Sequence, residues 1–328
     1  MARSRAVTAR RATLLVTSRC NNACAFCAQS GVAHPDATDL DATLQSLAAS
    51  HDEVTLTGGE PTLRDDLVDV VRAARAAGFR RVGLQTNGRR LREAGYAIEL
   101  ARAGLTDVHL SLHGSTAAAH DYHTGAAGSF VESAAGFSAA RAAGLTAVVS
   151  TVLTRSNHRA LAELPAWLAA RGTAAWVIHL PRAAGGALAG FDRVMPRLAM
   201  ALPAALHALA SARNVSLMSW VRGAPLCLLG PYVNRALDDE PRAYGAVCEG
   251  CVARPRCPGV DPLYLRRFEG DELAAARAPK TPPPAPSARD AAVARMFTGP
   301  GALALEAPPP QHLADRRARV SLPLAQEG

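Results

Sequence analysis

At 328 residues, 49% hydrophobic and 20% charged, the chain has the apolar content of a full core, which excludes an intrinsically disordered protein. The length suits one large α/β domain with a small appendage. A formal charge of +8 raises nucleic acid as a partner, but the chain has one lysine, Lys280, and its arginines (Arg72, Arg75, Arg80, Arg81, Arg89, Arg90) are scattered, so they read as solvated faces and a compositional bias.

In chain order, residues 1–11 are basic and lack acidic side chains, as transit peptides do, but the apolar run that follows is too short for a signal sequence. No stretch is long enough to span a membrane, and a reducing cytoplasm is the expected compartment. Residues 12–17 predict a strand and 39–50 a helix, with Asp39 as its N-cap. A strand at 53–57 and a helix at 63–77 closed by Gly78 come next, then a strand at 81–86 and a helix at 91–103 closed by Gly104. Strands at 107–112, 146–153 and 174–180 alternate with helices at 129–143, closed by Gly144, and 160–170. A helix over 193–213 contains Pro196 and Pro203, each able to break it. Asp52 and Glu53 read as a solvated barrel bottom. Residues 215–220 offer one more strand, and 291–297 a short helix.

Six strand–helix units imply parallel pairing with right-handed crossovers, and six in about 200 residues suit a partial (β/α)6 barrel better than a closed eight-fold one. Three regions follow: the barrel over 1–214, a small loop-rich domain over 215–275, and a proline-rich, extended tail over 276–328.

The seven cysteines fall into two groups, Cys20, Cys24 and Cys27, then Cys227, Cys248, Cys251 and Cys257. An odd number at short spacings favours metal ligation over disulfides. Three thiolates on one loop can hold three irons of a [4Fe–4S] cube and leave the fourth iron free. Chemistry-bearing residues recur at the C-terminal ends of the predicted strands, where parallel β/α barrels build their sites. The cysteine loop follows the first strand, Gly58-Gly59-Glu60-Pro61 the second and Asn87-Gly88 the third, while Ser111-Leu112-His113-Gly114 closes the fourth.

Cys20-x3-Cys24-x2-Cys27 with Phe26 before the third cysteine, together with Thr57-Gly58-Gly59-Glu60-Pro61-Thr62, resembles the radical S-adenosylmethionine (SAM) superfamily. It is most similar to the branch of the molybdenum-cofactor cyclase and the sulfatase-maturing and peptide-modifying enzymes. The resemblance covers residues 12–180, and more loosely 220–270. It implies that Cys20, Cys24 and Cys27 ligate a [4Fe–4S] cluster, that SAM chelates its free iron, and that reductive cleavage yields a 5′-deoxyadenosyl radical. Gly58 and Gly59 would let backbone approach the methionyl group, and Glu60 would accept from its amino group. Ser111 and His113 sit where the family contacts the ribose, although this branch often has aspartate at the position of His113. Asn87 and Phe26 complete the SAM-site candidates.

Cys248-x2-Cys251-x5-Cys257, completed by Cys227, resembles part of the SPASM pattern in its reduced, Twitch-like form, which implies one auxiliary [4Fe–4S] cluster. A structural zinc knot fits the same spacing. His179, Arg182, Trp220 and Tyr232 are candidates to face the substrate. The functional expectation is a radical SAM enzyme that abstracts hydrogen from a peptide side chain or a cofactor precursor, served by an electron donor such as flavodoxin or ferredoxin. The alternatives are a radical SAM enzyme that modifies RNA and a non-catalytic metal-binding regulatory protein.

Overall fold

The computed structural model describes residues 10–31, 40–237, 242–277 and 288–297. Eight strands form one sheet in sequential order, each pair of neighbours parallel. They are β1 (Arg11–Thr17), β2 (Glu53–Gly58), β3 (Arg81–Thr86), β4 (Asp107–Ser111), β5 (Thr146–Val152), β6 (Ala175–His179), β7 (Ser219–Arg222) and β8 (Ala236–Leu237). β1 and β8 are the two ends of this order, so the barrel is open. The expected six units are present, and two short strands extend them.

The helices are α1 (Leu40–Ala48), α2 (Leu67–Ala76), α3 (Tyr96–Ala103), α4 (Ala117–Thr124), α5 (Ser129–Ala142), α6 (Leu164–Ala170), α7 (Gly185–Ala189), α8 (Phe191–Val194), α9 (Leu198–Asn214), α10 (Pro262–Phe268) and α11 (Ala288–Ala294). The helix expected over 193–213 is two helices, because Pro196 stands in the gap between α8 and α9, whereas Pro203 is accommodated inside α9. The N-cap expected at Asp39 lies outside the described residues. So does the proline-rich tail, apart from 276–277 and 288–297.

Strand alternation separates two faces. Ala12, Leu14, Val54, Leu56, Val82, Leu84, Val108 and Val149 face outward into the main apolar core under the helices. The inward face is polar at the N-terminal end. Buried Arg11 donates to Thr55 Oγ1 at 2.7 Å, to Glu53 at 3.3 Å and to Asp107, which also pairs with Arg81 at 3.2 Å. Glu53, 3% exposed, is therefore not part of a solvated bottom; it is a partner of the buried arginine. Gly83 is glycine because a Cβ there would sit 1.9 Å from the Arg11 guanidinium.

Further round the barrel the inward face turns apolar. Val148, Ala175, Val177, Trp220 and Leu237 form a second cluster, closed by Met296 and Phe297 just after α11. The loop-rich region after β7 shares the main core through Leu226, Leu229, Val260, Tyr264 and Leu273. Tyr264, 1% exposed, accepts from the Leu198 amide at 2.8 Å and bonds to Glu272, which fixes α10 against α9.

Candidate functional site

The cysteine loop leaves β1 and is gripped from several sides. Ala23 donates its amide to Thr124 O at the end of α4 (2.7 Å), Gly186 at the start of α7 donates to Cys27 O (2.9 Å), and Asn87 Nδ2 donates to Asn21 Oδ1 (2.6 Å). Cys20 is exposed, Cys24 and Cys27 half-buried, and all seven cysteines are free thiols. Burial pushes the Cys24 thiol up to about 12, with Cys27 and Cys20 adding to the shift; Cys20 is raised by burial in the same way. These thiols feel one another's charge, which a metal ion would reverse.

Gly58 and Gly59 are held against the stem of that loop. A Cβ on Gly58, whose φ is +141°, would lie 2.1 Å from Thr17 O, and one on Gly59 2.3 Å from Arg19 O. Gly59 and Glu60 donate their amides to those carbonyls at 2.8 and 2.7 Å. The pair is thus explained first by the approach of two backbones. Glu60 is wholly buried. Its Oε1 accepts from Thr62 N (3.0 Å), Thr62 Oγ1 (2.6 Å) and Thr86 Oγ1 (2.6 Å), and its Oε2 accepts from Asn87 N (2.6 Å). These four donors, three on Oε1 and one on Oε2, match the roughly four lone-pair sites of a carboxylate. Burial raises the Glu60 pKa, and the four donors offset part of that rise.

His113 lies 3% exposed beside the loop, its ring 4.5 Å from that of Phe26 in an edge arrangement. Burial, then neighbouring His120, His123 and His179, hold its pKa well below the usual value, so it is neutral. Val152 N donates to its Nδ1 at 3.4 Å, which assigns the proton to Nε2. Asn157 Nδ2 donates to its carbonyl, and its amide donates to His120 Nδ1. An open cavity of about 220 Å³ lies here, lined in part by His113, Gly114, Tyr122, His123, Ser156 and Asn157. Ser111 ends β4, half-buried. His109, His120, His123 and His158 are buried, as expected of structural histidines.

The second cysteine group also converges. Cys227, Cys248, Cys251 and Cys257 line one small cavity of about 20 Å³, with Pro225, Tyr244 and Arg254 among its walls. Backbone amides point at the sulfurs: Leu226 N and Gly259 N at Cys257 Sγ (both 3.4 Å), Ala276 N at Cys251 Sγ (3.3 Å), and Ala274 at Cys227. Such donors favour the thiolate, and at Cys251 they hold the pKa below the usual thiol value. Among the described residues, no three His, Cys, Asp or Glu side chains are drawn around a single ion. Of the residues expected to face substrate, Trp220 is 8% exposed under Phe297, His179 stacks on His109 at 6.4 Å, Tyr232 is half-buried and Arg182 is exposed.

Reasoning from sequence passed over Arg89, Asn21 and Asn22. Arg89 was placed among the solvated arginines, yet its Nη1 donates to Asn21 O (2.5 Å) and Asn22 Oδ1 (2.9 Å), while its Nε pairs with Glu132 (2.6 Å). Its position directly after the Asn87-Gly88 turn was the available signal.

Residues 14–165 match the model of the Radical SAM superfamily, and the chain therefore carries a radical SAM domain. That family consists of enzymes that use a [4Fe–4S] cluster and SAM. The chain is 40% identical over 123 residues to a GTP 3',8-cyclase of Synechococcus elongatus, a match covering 35% of this chain and 37% of that protein. A probable GTP 3',8-cyclase of Methanopyrus kandleri is 43% identical over 103 residues, covering 30% of this chain and 32% of the relative. The chain thus spans about a third of the length of these curated relatives. The Streptococcus suis SuiB structure bound to precursor peptide SuiA shares the fold at 15% identity and a TM-score of 0.56, over 69% of this chain and 52% of that one. Among the described residues, no helix is long and apolar enough to cross a membrane.

Proposed function

We propose that this protein is a radical SAM enzyme with an auxiliary cluster, abstracting hydrogen from a substrate held at the open end of the barrel. The observation that carries the reading is convergence. The three-cysteine loop, Gly58-Gly59-Glu60 and Asn87 are hydrogen-bonded to one another at the C-terminal ends of β1 to β3, and Phe26 on that loop packs its ring against His113 after β4. The donor set fits the family's cluster, since three thiols on one loop ligate three irons and leave the fourth for SAM. Together the bound cluster and SAM supply reductive cleavage of SAM to methionine and a 5′-deoxyadenosyl radical.

The chain's own residues then bind and orient. Cys20, Cys24 and Cys27 hold the cluster. Glu60 fixes the Asn87 turn against the loop and so shapes the wall against which the SAM amino group would lie. Neutral His113 presents Nε2–H as a donor to a ribose hydroxyl, and Ser111, two residues earlier at the end of β4, is the second candidate for that contact. The cavity beside His113, His123 and Asn157 takes the nucleoside end, and Phe26 packs against the His113 ring that lines it. In the second site, four cysteines gather around one small cavity, most of them receiving backbone N–H donors, and their likeness to the Twitch-like pattern supports an auxiliary cube over a zinc knot.

For the substrate, the GTP 3',8-cyclase relatives favour a nucleotide cofactor precursor, although the match covers 35% of this chain. The peptide reading rests on the SPASM-like cysteines. A flavodoxin or ferredoxin in a reducing cytoplasm would supply the electron. Anaerobic reconstitution is expected to give about eight irons per chain. With dithionite and SAM, the protein should form 5′-deoxyadenosine, and Cys24→Ala should form none. GTP and short peptides assayed side by side assign the substrate by which one is converted. Undiminished SAM cleavage by Cys24→Ala would overturn the cluster assignment, and firmly held zinc with about four irons would overturn the auxiliary cube.

A further inference from the structure

The connection from β6 into α7 lies against the first cysteine loop, and it is pinned at two nearby points. Gly186 donates its amide to Cys27 O at 2.9 Å. Ala183 donates its amide to Asp261 Oδ2, also at 2.9 Å. The first partner belongs to the loop that carries Cys20, Cys24 and Cys27, and the second to the segment that carries Cys257. Two glycines make the first anchor possible. Gly185 has a φ of +51°, and a Cβ there would lie 2.7 Å from each of three carbonyl oxygens, those of Cys27, Ala28 and Ser30. A Cβ on Gly186 would meet Ala25 O at 3.1 Å. The pair lets the start of α7 rest on the backbone of the loop.

Asp261 is fixed in turn from its other side. Its Oδ1 accepts from Leu263 N at 2.9 Å and caps α10, so one carboxylate presents one oxygen to each partner. Cys257 stands four positions before it, and the stretch between them has no slack. Val260 and Ala243 exchange both backbone hydrogen bonds, at 2.9 and 3.0 Å. Gly259, with a φ of +68°, is pressed against the same partner, since a Cβ on it would lie 2.2 Å from Ala243 O. The Gly259 amide points at the Cys257 sulfur at 3.4 Å. A group that fixes the Cys257 sulfur therefore fixes the Asp261 carboxylate, which fixes Ala183 and, through Gly186, the backbone of Cys27.

We infer that Asp261 is a positioning residue that couples the two cysteine sites: a metal group bound by Cys227, Cys248, Cys251 and Cys257 orders, through Asp261, Ala183 and Gly186, the loop that receives the SAM-binding cluster. The inference rests on the functional reading above, which takes both sites as metal-binding.

The test uses the full chain with Cys20, Cys24 and Cys27 replaced by alanine, so that only the second site is filled. This protein is compared empty, reconstituted anaerobically with iron and sulfide, and loaded with Zn²⁺. Amide hydrogen exchange is read over residues 23–30 and at Gly186. Filling the second site should slow that exchange about tenfold, the worth of about one hydrogen bond. Asp261→Ser keeps an N-cap for α10 but has a single side-chain oxygen, and it should abolish the slowing. A change that only loosened the fold would speed exchange in empty and filled protein alike and keep their ratio. In the chain with all seven cysteines and both sites filled, Asp261→Ser and Gly185→Ala should each speed loss of iron from the SAM-binding cluster to a chelator about tenfold, followed by its SAM-responsive EPR signal. The double variant should add little, because both changes break one path.

Equal slowing in Asp261→Ser and its parent, or none in either once the second site is filled, would overturn the coupling and leave the functional reading standing. So would additive rates of iron loss in the double variant. A second site that takes up neither iron nor zinc would instead defeat the auxiliary-cluster part of the functional reading, and the coupling with it.

Discussion

Glu60 shows how much one side chain does at this site. It is 0% exposed, and its four donors come from three parts of the active-site rim: Thr62, twice, in the turn after β2, Thr86 at the end of β3 and the amide of Asn87. Replacing it with glutamine keeps the shape and changes one acceptor into a donor. The new NH2 must face either the Asn87 amide or the Thr62 amide, and neither can turn round to accept. Glu60→Gln is therefore expected to destabilise the fold by about 1–3 kcal/mol, the cost of a buried donor left without an acceptor. Urea unfolding monitored by circular dichroism measures this, and an unchanged midpoint would show that the rim relaxes around the amide. The sequence marked Glu60 as important, but not for this reason. It pointed to a ligand of SAM, while the structure adds a carboxylate on which the Asn87-Gly88 turn is built.

At the scale of elements, the barrel interior is divided. Arg11, Glu53, Thr55, Asp107 and Arg81 tie β1, β2, β3 and β4 together across the hollow, and Gly83 makes room for the arginine. Asp107 is 1% exposed and faces two arginines, so Asp107→Ala leaves Arg11 buried beside a single carboxylate. A loss of about 3–5 kcal/mol is expected, as for one partner removed from a buried ion pair, read as a fall in the denaturation midpoint. An isosteric Asp107→Asn should fall less if hydrogen bonding rather than charge holds the arginine. Little of this was legible in advance. The strands and helices could be read because alternating apolar residues mark the strands and closing glycines such as Gly78, Gly104 and Gly144 mark the helix ends locally. Arg11 sits at a strand start, where a charge ordinarily meets water, and its partners lie 42 and 96 positions away. α4 carries no clear signal because Ala117–Thr124 (Ala-Ala-Ala-His-Asp-Tyr-His-Thr) has no apolar period. β8, two residues long, carries no signal of its own. The site was legible where function imposes residue type, at the cysteines and the glycines. It was not legible where a supporting side chain such as Arg89 meets a partner 43 positions away.

For the molecule as a whole, the concentration of buried histidines inside and above the barrel sets how stability responds to pH. Burial first, then the Arg11 guanidinium, lowers His109 to about 3, and burial lowers His120 to about 4; His113 and His123 are lowered for the same leading reason. Each is neutral when folded, and each regains a value near 6.5 when the chain unfolds. Above about 6.5 neither state binds the proton and the full stability is present. As pH falls below that value the unfolded chain takes up protons the folded chain refuses, so stability drops by about 1.4 kcal/mol per pH unit for each such histidine. For His120 the loss runs down to about 4, and for His109 to about 3. Glu60 works in the opposite sense: its raised pKa lets the folded state bind a proton before the unfolded one, which returns some stability as pH falls toward the ordinary carboxylate range. Several histidines against one glutamate leave a net loss on the acid side. The urea midpoint should therefore be flat between pH 7 and 8 and decline steeply below about 6.5. His109→Gln should reduce that slope by about one proton, because His109 sits apart from the cysteine loop, against Phe297 and His179. An unaltered slope in that variant would mean that the interior opens to water around His109 before the chain unfolds, and that the seal formed by Phe297 over the inward face of β5 to β8 is looser than its packing implies.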